Sequence, residues 1–353
     1  MGKFEYDKKE NLQTFGTQAS NTKFKKARQK DSYNFKKMKP IVITGAAGFI
    51  GTNLALSLNE LGRSDLILVD CLDYELKKKN LEKIKYQAYF DREDFLQVIK
   101  NNRLEDVETI FHLGASTDTL NFDKKFMLRN NTEYSKILFK YAFQKNLKFI
   151  YASSAATYGN GSHGFSDKER KLEPLNVYAQ SKYLFDEHVL DSKIKPKQWV
   201  GLKFFNVYGP HEEHKGDMAS MVYKCFLQAR NSGVINLFSA SRPGYENGGE
   251  KRDFIYVKDV VKIILFFFNN DTSGIFNVGT GKARTFLDLA NLVFTALGKE
   301  LKVRFFPMPE SVMSKYQHFT QAEVKSLRSA GYEEPFIELE SGVKDYIQSY
   351  LEV

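Results

Sequence analysis

From residue 39 onward, short apolar runs alternate with longer stretches in which apolar residues recur at helical spacing. The short runs predict β-strands at 39–44, 66–70, 109–112, 148–152 and 199–203. Helical spacing is clearest at 53–61 and 131–146. Because strands that alternate with helices form a parallel sheet with helices on both faces, the pattern predicts an α/β fold. The alternation weakens after residue 206, where the chain becomes rich in loops.

The first 38 residues are polar, rich in lysine and without periodicity, which predicts a basic, flexible tail. They contain ten Lys and Arg and four Asp and Glu, so they carry two-thirds of the net charge of +9. The remaining 315 residues carry only +3. No nucleic-acid-binding motif accompanies this charge, and we expect no nucleic-acid partner.

Composition excludes several classes of protein. Hydrophobic residues make up 42% and charged residues 27%, which excludes a disordered chain, a fibrous repeat and a membrane-embedded protein. The two cysteines, Cys71 and Cys225, form neither a disulfide framework nor a CxxC pair, and the six histidines show no metal-ligand spacing. We therefore expect a cytoplasmic location, no metal and no membrane.

A glycine-rich turn joins the first predicted strand to the first helix. Gly45 permits the tight turn, Gly48 lets the backbone approach a pyrophosphate, and Gly51 lets helix and strand pack closely. The phosphates would then face free N–H groups at the positive end of the helix. Asp70 ends the next strand, as in dinucleotide-binding folds. The GxxGxxG spacing is typical of short-chain dehydrogenases/reductases.

The choice between NAD and NADP stays open on spacing alone. Asp70 would accept hydrogen bonds from the ribose hydroxyls of NAD and repel a 2′-phosphate. Lys77, Lys78, Lys79 and Arg92 could supply cations for that phosphate, or form an ordinary solvated face.

Tyr178 and Lys182 form a YxxxK motif, which places both side chains on one face of a helix. A lysine there would lower the pKa of the phenol, so that the tyrosine acts as an acid or base. Ser153 and Ser154 end a predicted strand 24 residues earlier. We expect Ser154 to bind the substrate oxygen and Ser153 to be structural. A tyrosine–lysine pair at this spacing is otherwise a common surface feature.

Longer motifs resemble the extended branch of this superfamily and, within it, the ADP-L-glycero-D-manno-heptose 6-epimerase family. The resemblance runs from about residue 40 nearly to the end and leaves out the tail. The motifs shared with the whole branch are FNVYGP (205–210), RDFIYV (252–257) and FNVGTG (276–281). Those typical of the epimerases are SSAATYG (153–159), PLNVY (174–178), SKYLFDE (181–187), HKG (214–216) with MAS (218–220), and YQHFTQA (316–322).

The resemblance implies an isomerase with tightly bound NADP that inverts C6″ of an ADP-heptose for the lipopolysaccharide inner core. Inversion would pass through a 6″-ketone, with hydride returned to the opposite face. Delivery to both faces asks for two acid/base groups, which by resemblance are Tyr178 and Lys215. Residue chemistry alone allows this role for Lys215 if burial lowers its pKa, but equally allows an exposed loop cation. The family also implies a homo-oligomer.

Further site residues follow from the resemblance, position by position. The cofactor positions, besides the three glycines, are Phe49, Ile50, Asp70, Cys71, Lys77, Arg92, Leu113, Gly114, Ala115, Ser116, Thr117, Asn131, Lys182, Val207 and Lys215. Lys77 and Arg92 at these positions favour NADP, and Asp70 leaves NAD open. The substrate positions are Ser154, Asn206, Asp217, Lys224, Phe238, Ser239, Ala240, Ser241, Arg252 and Tyr316. Arg252 would clamp the diphosphate.

Four departures from the family pattern surround the expected substrate pocket. Asp217 stands where Ser is usual, Lys224 where His is common, and the run 238–241 is less acidic than in the family. About nine extra residues precede Lys251. A 4-epimerase or reductase of the same superfamily and a non-catalytic cofactor-binding module are the alternatives, and the intact Ser154 and YxxxK motif argue against the module.

The expected architecture is a Rossmann-like, doubly wound parallel sheet with a smaller C-terminal α/β domain. We assign 39–206 to the NADP-binding domain and 207–353 mainly to the substrate domain. Segments near 253–282 are expected to return to the first domain.

Overall fold

The computed structural model describes residues 38–72, 75–104, 106–118, 123–313 and 316–352. Except for Met38, the predicted tail lies outside the described residues. The strands are β1 (Ile41–Thr44), β2 (Leu66–Asp70), β3 (Ala88–Asp91), β4 (Thr109–His112), β5 (Lys148–Ser154), β6 (Gln198–Phe204), β7 (Asn206–Tyr208), β8 (Ile235–Phe238), β9 (Lys251–Tyr256), β10 (Gly274–Val278), β11 (Ala283–Thr285) and β12 (Val303–Phe306).

Several helices begin behind a residue whose side chain caps the first turn. Asn176 caps α6 with its side chain, and Thr285 and Asp288 form a capping box at α9. The helices are α1 (Phe49–Glu60), α2 (Glu75–Leu81), α3 (Arg92–Lys100), α4 (Lys124–Met127), α5 (Tyr134–Gln144), α6 (Val177–Asp191), α7 (Met221–Asn231), α8 (Val257–Phe268), α9 (Phe286–Ala296), α10 (Glu310–Met313), α11 (Lys325–Ser329) and α12 (Leu339–Tyr346). None in the described ranges has the length and apolar character that crossing a bilayer requires.

Seven strands form one parallel sheet in the order β10-β6-β5-β4-β1-β2-β3. The predicted α/β fold with a doubly wound parallel sheet is confirmed. The chain adds β2 and β3 on one side of β1 and returns to add β4 on the other, so the strand order reverses beside β1. Loops that leave the carboxyl ends of β1 and β4 diverge there and leave a crevice, where folds of this kind bind ligands.

Alternate residues of the buried strands pack into different cores. Ile41 and Ile43 of β1 pack with α1 and α8, whereas Val42 between them packs with α3, α5 and α6. Successive strand side chains point to opposite faces, so a strand buried on both faces reads as a continuous apolar run. This is why β1, β2 and β4 are visible in the sequence.

Smaller sheets follow the large one. Strands β11, β9 and β7 form a three-stranded sheet, and β12 pairs with β8. Helices α7, α9 and α12 pack around a separate apolar core with these strands. The smaller C-terminal sheets agree with the expected architecture, whereas the domain boundary at residue 206 stays a prediction.

Some elements differ from the predictions. The strand β3 was missed because its four residues are only half buried at the sheet edge, and β10 was missed because it follows the loop-rich region. The helix predicted at 131–146 begins earlier, since α4 continues through a wider turn at Leu128–Glu133 into α5. The helix predicted at 53–61 also starts earlier, at Phe49.

Candidate active site

The glycine-rich turn between β1 and α1 is built for close backbone approach. Gly45 has a φ of +71°, which favours glycine, and a β-carbon there would lie 2.6 Å from the backbone nitrogen of Gly114. A β-carbon at Gly51 would overlap the carbonyl oxygen of Gly45. No side chain caps α1 behind Gly48, and first-turn N–H groups of a helix have no intrahelical acceptor. The turn therefore offers donors and space that fit a pyrophosphate.

Asp70, at the end of β2, is already bound to three donors. Its carboxylate accepts from the backbone N–H groups of Ala47, at 2.9 Å, and Cys71, at 2.7 Å. The ammonium of Lys77 donates to it at 2.9 Å. Asp70 thus fastens the glycine-rich turn to β2, and Lys77 compensates the negative charge that would otherwise repel a phosphate.

A cavity of about 400 Å³ opens beside Asp70. Lys77 and Arg92 both line it. Arg92 donates from one terminal nitrogen to Asn130 at 2.9 Å and from the other to Glu93. Its Nε is buried and, within the described ranges, has no hydrogen-bond partner. An unpaired guanidinium donor beside an ammonium fits an anionic group.

Most of the predicted cofactor residues divide between this cavity and a second one of about 330 Å³, whereas Gly48 and Gly51 line neither. Ala115 lines both. The first is lined by Gly45, Asp70, Cys71, Lys77, Arg92, Gly114, Ala115 and Ser116. The second is lined by Phe49, Ile50, Leu113, Ala115, Thr117, Lys182, Val207 and Lys215. Asn131 lies behind the loop that follows β4, where its amide exchanges hydrogen bonds with the backbone of Ser116.

Thr44, Asn130 and Tyr134 also line the first cavity, and Met218 and Phe254 line the second, without having been predicted. Met218 and Phe254 stand in the MAS and RDFIYV motifs, whereas no motif marks Thr44, Asn130 or Tyr134. Thr44 could have been predicted from its place at the end of β1, because the carboxyl ends of parallel strands face the ligand crevice.

The second cavity brings the predicted catalytic residues together. Ser154 lies at the end of β5, and Tyr178 and Lys182 lie one turn apart on α6. Lys215 reaches the same cavity from a short helical turn, Glu213–Met218. Ser153 also borders this cavity, but its hydroxyl donates to buried Asp186 at 2.7 Å, which agrees with its expected structural role.

The pKa of Tyr178 differs from the expectation. Burial raises it, and the hydrogen bond with Ser154 opposes that rise. The predicted lowering of this pKa is therefore wrong, because burial outweighs the opposing effect, and the ammonium of Lys182 donates to the carbonyl of Ala152 at 2.9 Å. Burial lowers the pKa of Lys182 itself to about 8, so this lysine titrates near neutral pH.

Lys215 is half buried, and its Nζ lies 5.3 Å from the ring centroid of Phe49. Burial lowers its pKa, and the neighbouring carboxylate of Glu212 opposes this. Glu212 is fully buried, accepts from Gly209 at 3.2 Å and from the hydroxyl of Ser220 at 2.7 Å, and so fastens both ends of the segment that carries Lys215. Such a burial and pKa shift suit an acid/base lysine better than an exposed loop cation.

Four of the predicted substrate residues form a cluster. The Arg252 guanidinium lies 5.1 Å from the ring centroid of Tyr316, and that ring meets Phe238 edge-on at 5.8 Å. Ser241 lies 3.4 Å from Nδ1 of His318, which packs on Tyr316. Burial lowers the pKa of Arg252, and the neighbouring Tyr316 and Glu250 oppose this.

The remaining substrate positions make other contacts. Asn206 lines the catalytic cavity. The ammonium of Lys224 donates to the backbone of Asp217, and neither Lys224 nor Asp217 lines the two cavities. Ser239 and Ala240 are held through their backbone N–H groups by Phe306 and Asn247. The contribution of these five residues to substrate binding stays a prediction.

A buried histidine supports the loops of the site. His112, at the end of β4, lies between the hydroxyls of Thr44 and Ser135, each at 2.7 Å. Thr44 in turn accepts from the N–H of Gly114 at 3.2 Å. Burial, followed by the charge of Lys182, lowers the pKa of His112 to about 3, so it stays neutral.

We expect His112 to make the protein sensitive to acid. Between pH 6.5 and 3 the unfolded chain binds a proton that folded His112 refuses, so the free energy of unfolding falls as pH falls. From pH 7 to pH 5 this loss amounts to about 2 kcal/mol. A His112→Gln variant should show a loss smaller by that amount, measured by urea unfolding at both pH values. The exposed His163→Gln should leave the loss unchanged, and equal losses in all three proteins would contradict the prediction.

Comparisons with known proteins agree with this geometry. The sequence profile described as "NAD dependent epimerase/dehydratase family" matches residues 41–279. The ADP-L-glycero-D-manno-heptose-6-epimerase of Fusobacterium nucleatum is 44% identical over 325 residues, covering 88% of this chain and 98% of that protein. The chain belongs to the ADP-L-glycero-D-manno-heptose-6-epimerase family. The protein of that name from Brachyspira hyodysenteriae is 43% identical over 318 residues, covering 87% and 96%.

Solved structures of epimerases also match this chain. The crystal structure of Helicobacter pylori ADP-L-glycero-D-manno-heptose-6-epimerase matches with a TM-score of 0.77 and 31% identity, covering 89% of this chain and 97% of that one. A UDP-glucose 4-epimerase of Thermotoga maritima matches with a TM-score of 0.74 and 25% identity, covering 89% and 98%. The fold is therefore shared with epimerases of other sugars. The fold alone does not distinguish these activities, so the residues of the site have to do so.

Proposed function

We propose that the protein converts ADP-D-glycero-β-D-manno-heptose to its L-glycero form by inverting C6″, and so supplies heptose for the lipopolysaccharide inner core. The observation that carries this proposal is the meeting of Tyr178 and Lys215, two acid/base side chains from different segments, in one cavity with Ser154 and Lys182. The identity of the sugar follows from family membership, since the relatives are named for ADP-L-glycero-D-manno-heptose. The homo-oligomer and the cytoplasmic location stay predictions, and sedimentation of the purified protein measures the first.

The cofactor in this proposal is NADP. The first cavity supports it with Lys77 and Arg92, while the contact with Lys77 offsets the charge of Asp70. The glycine-rich turn would hold the pyrophosphate, and Lys182 and Val207 line the cavity where the nicotinamide half would lie. When bound, NADP supplies a hydride acceptor that returns the same hydride to the substrate.

The side chains would divide the remaining work by position. One of Tyr178 and Lys215 takes the proton from the C6″ hydroxyl as hydride leaves the carbon, which gives a 6″-ketone. Inversion would require that hydride return to the opposite face of that carbon, and the other group would then protonate the oxygen. Ser154 would hold the reacting oxygen, and Arg252 would hold the diphosphate. No net oxidation results.

Lys215 favours this reaction over inversion at C4. A 4-epimerase can use a single tyrosine by turning the keto-sugar within its site, and it needs no second base at this place. The half-buried position of Lys215, with its pKa lowered by burial, supports a second base.

The direct test uses proton NMR. The NADP-loaded protein is incubated with ADP-D-glycero-β-D-manno-heptose, and the NMR signal of the proton on C6″ is followed. We expect conversion to a mixture of the two epimers. A folded, loaded protein that leaves this substrate unchanged would overturn the proposal, and inversion of UDP-glucose in a parallel sample would favour a 4-epimerase.

We expect Arg92 to contribute to the preference for NADP. An Arg92→Gln variant loses a cation beside the 2′-phosphate position, so the affinity for NADP should fall about 10- to 100-fold and that for NAD should change little. The ratio of NADP to NAD released from purified, denatured protein measures the change. Arg129→Gln is the matched control, since Arg129 is exposed and does not line the cavity. An unchanged ratio in Arg92→Gln would refute this role.

A further inference from the structure

A buried ion pair lies beneath the catalytic residues, between α6 and the sheet. The carboxylate of Asp186 lies 3.0 Å from the ammonium of Lys203, and both side chains are almost completely buried. Asp186 also accepts from the hydroxyls of Ser153, at 2.7 Å, and Tyr151, at 3.0 Å. Lys203 donates to the hydroxyl of Thr157 at 2.8 Å. Both charges therefore have polar partners inside the protein.

Such a pair needs a reason other than stability. Transfer of two charges from water into the interior costs several kcal/mol for each, and an apolar pair of the same volume is often as stable. The place of this pair suggests the reason. Asp186 lies one turn after Lys182 on α6, and Ser153, which it holds, precedes Ser154 on β5.

The surroundings of Lys182 contain few charges. His112 and Tyr151, on β4 and β5, stay neutral because burial lowers the pKa of His112 and raises that of Tyr151. Tyr158, on the turn after β5, is neutral for the same reason. Asp186 contributes a negative charge from α6 and Lys203 a positive one from β6.

We propose that Asp186 and Lys203 are positioning residues for the reaction: together they set the charge of Lys182 and hold the strand end that carries Ser154. The proposal rests on the proposed function, since that makes Tyr178 and Lys182 part of the reaction. Asp186 stabilises the protonated form of Lys182, and Lys203 keeps Asp186 from acting on Lys182 and Tyr178 with its full charge.

This arrangement predicts shifts of opposite sign. An Asp186→Asn change leaves two buried cations near each other, so the pKa of Lys182 should fall by about one pH unit. A Lys203→Met change leaves the carboxylate uncompensated, so the pKa of Lys182 should rise by a similar amount. The double variant should lie below the wild type and above Asp186→Asn.

Carbon-13 NMR of protein labelled at lysine Cε measures the pKa of Lys182 in the full chain with NADP bound, without any substrate. A Lys182→Arg variant identifies the signal. Asp345→Asn and Lys258→Met are matched controls, because these residues form an exposed ion pair, at 2.6 Å, that lines neither cavity. Shifts of opposite sign in the two single variants, with none in the controls, support the proposal.

The pH dependence of kcat/KM for the ADP-heptose gives a second readout. Its acid limb should move to lower pH in Asp186→Asn and to higher pH in Lys203→Met, because a nearby carboxylate disfavours the phenolate of Tyr178. A purely structural role would lower the rate without moving the limbs in opposite directions. If a single variant does not fold, the double variant decides, and an unchanged Lys182 pKa there overturns the proposal. A wild-type protein that does not act on the substrate would refute the proposed function. The NMR measurement of the Lys182 pKa needs no substrate, so it would still test the effect of Asp186 and Lys203.

Discussion

A Tyr178→Phe variant is expected to lose about 10²- to 10⁴-fold in the rate of epimerisation, the usual contribution of a positioned acid/base group. The ring still fills the catalytic cavity, and the residues that line the first cavity are unchanged. Only the hydroxyl that moves the proton is removed. NMR at C6″ measures the rate, and the NADP content of the purified protein measures cofactor retention.

Tyr183→Phe is the control for this change. Tyr183 lies on the same helix, and its hydroxyl donates to the backbone of Arg170, away from the cavity. It should keep wild-type turnover. A Tyr178→Phe protein that is fully active, or one that is inactive only because it has lost NADP, would contradict the role of Tyr178 as an acid/base group.

A Lys215→Met variant should also lose about 10²-fold or more in turnover, because inversion needs a proton carrier on each face of C6″. Methionine keeps most of the side-chain volume and the contact with Phe49, but it cannot carry a proton. In the direction in which Lys215 takes the proton, the wild-type rate should fall as the pH drops below the pKa of Lys215, since protonation removes the base. Burial lowers that pKa and so widens the pH range in which the base is available.

Lys258→Met serves as the control for the loss of a lysine, because Lys258 lines neither cavity. It should retain full activity. Full activity in Lys215→Met would show that a single acid/base residue suffices, and it would revive the comparison with 4-epimerases. Loss of both epimerisation and NADP would instead show that Lys215 serves the cofactor.

The sequence predicted the parts of the fold in which burial is complete. Strands β2 and β4 were predicted with their observed bounds, because every residue in them is buried and apolar runs report burial. Strand β3 lies at the edge and is half buried, so its four residues give a weaker signal. The glycine-rich turn was predictable because positions 45 and 51 both need a residue without a β-carbon, and few backbone turns need glycine at this spacing.

The electrostatics of the site could not be predicted in the same way. Helical spacing places Tyr178 and Lys182 on one face, but it does not say that the ammonium points at Ala152. Lys203 and Asp186 are charged residues on a strand and a helix, and sequence alone suggests solvent for both. Only the packing of α6 against β5 and β6 shows that these charges meet inside the protein.

The two anchors of Glu212 have a kinetic consequence. Because Gly209 and Ser220 hold the turn around Lys215 from both sides, its backbone is ordered before any sugar arrives. A catalytic base on a pre-ordered segment costs little conformational entropy on association, so more of the binding free energy is left for orienting the reacting carbon.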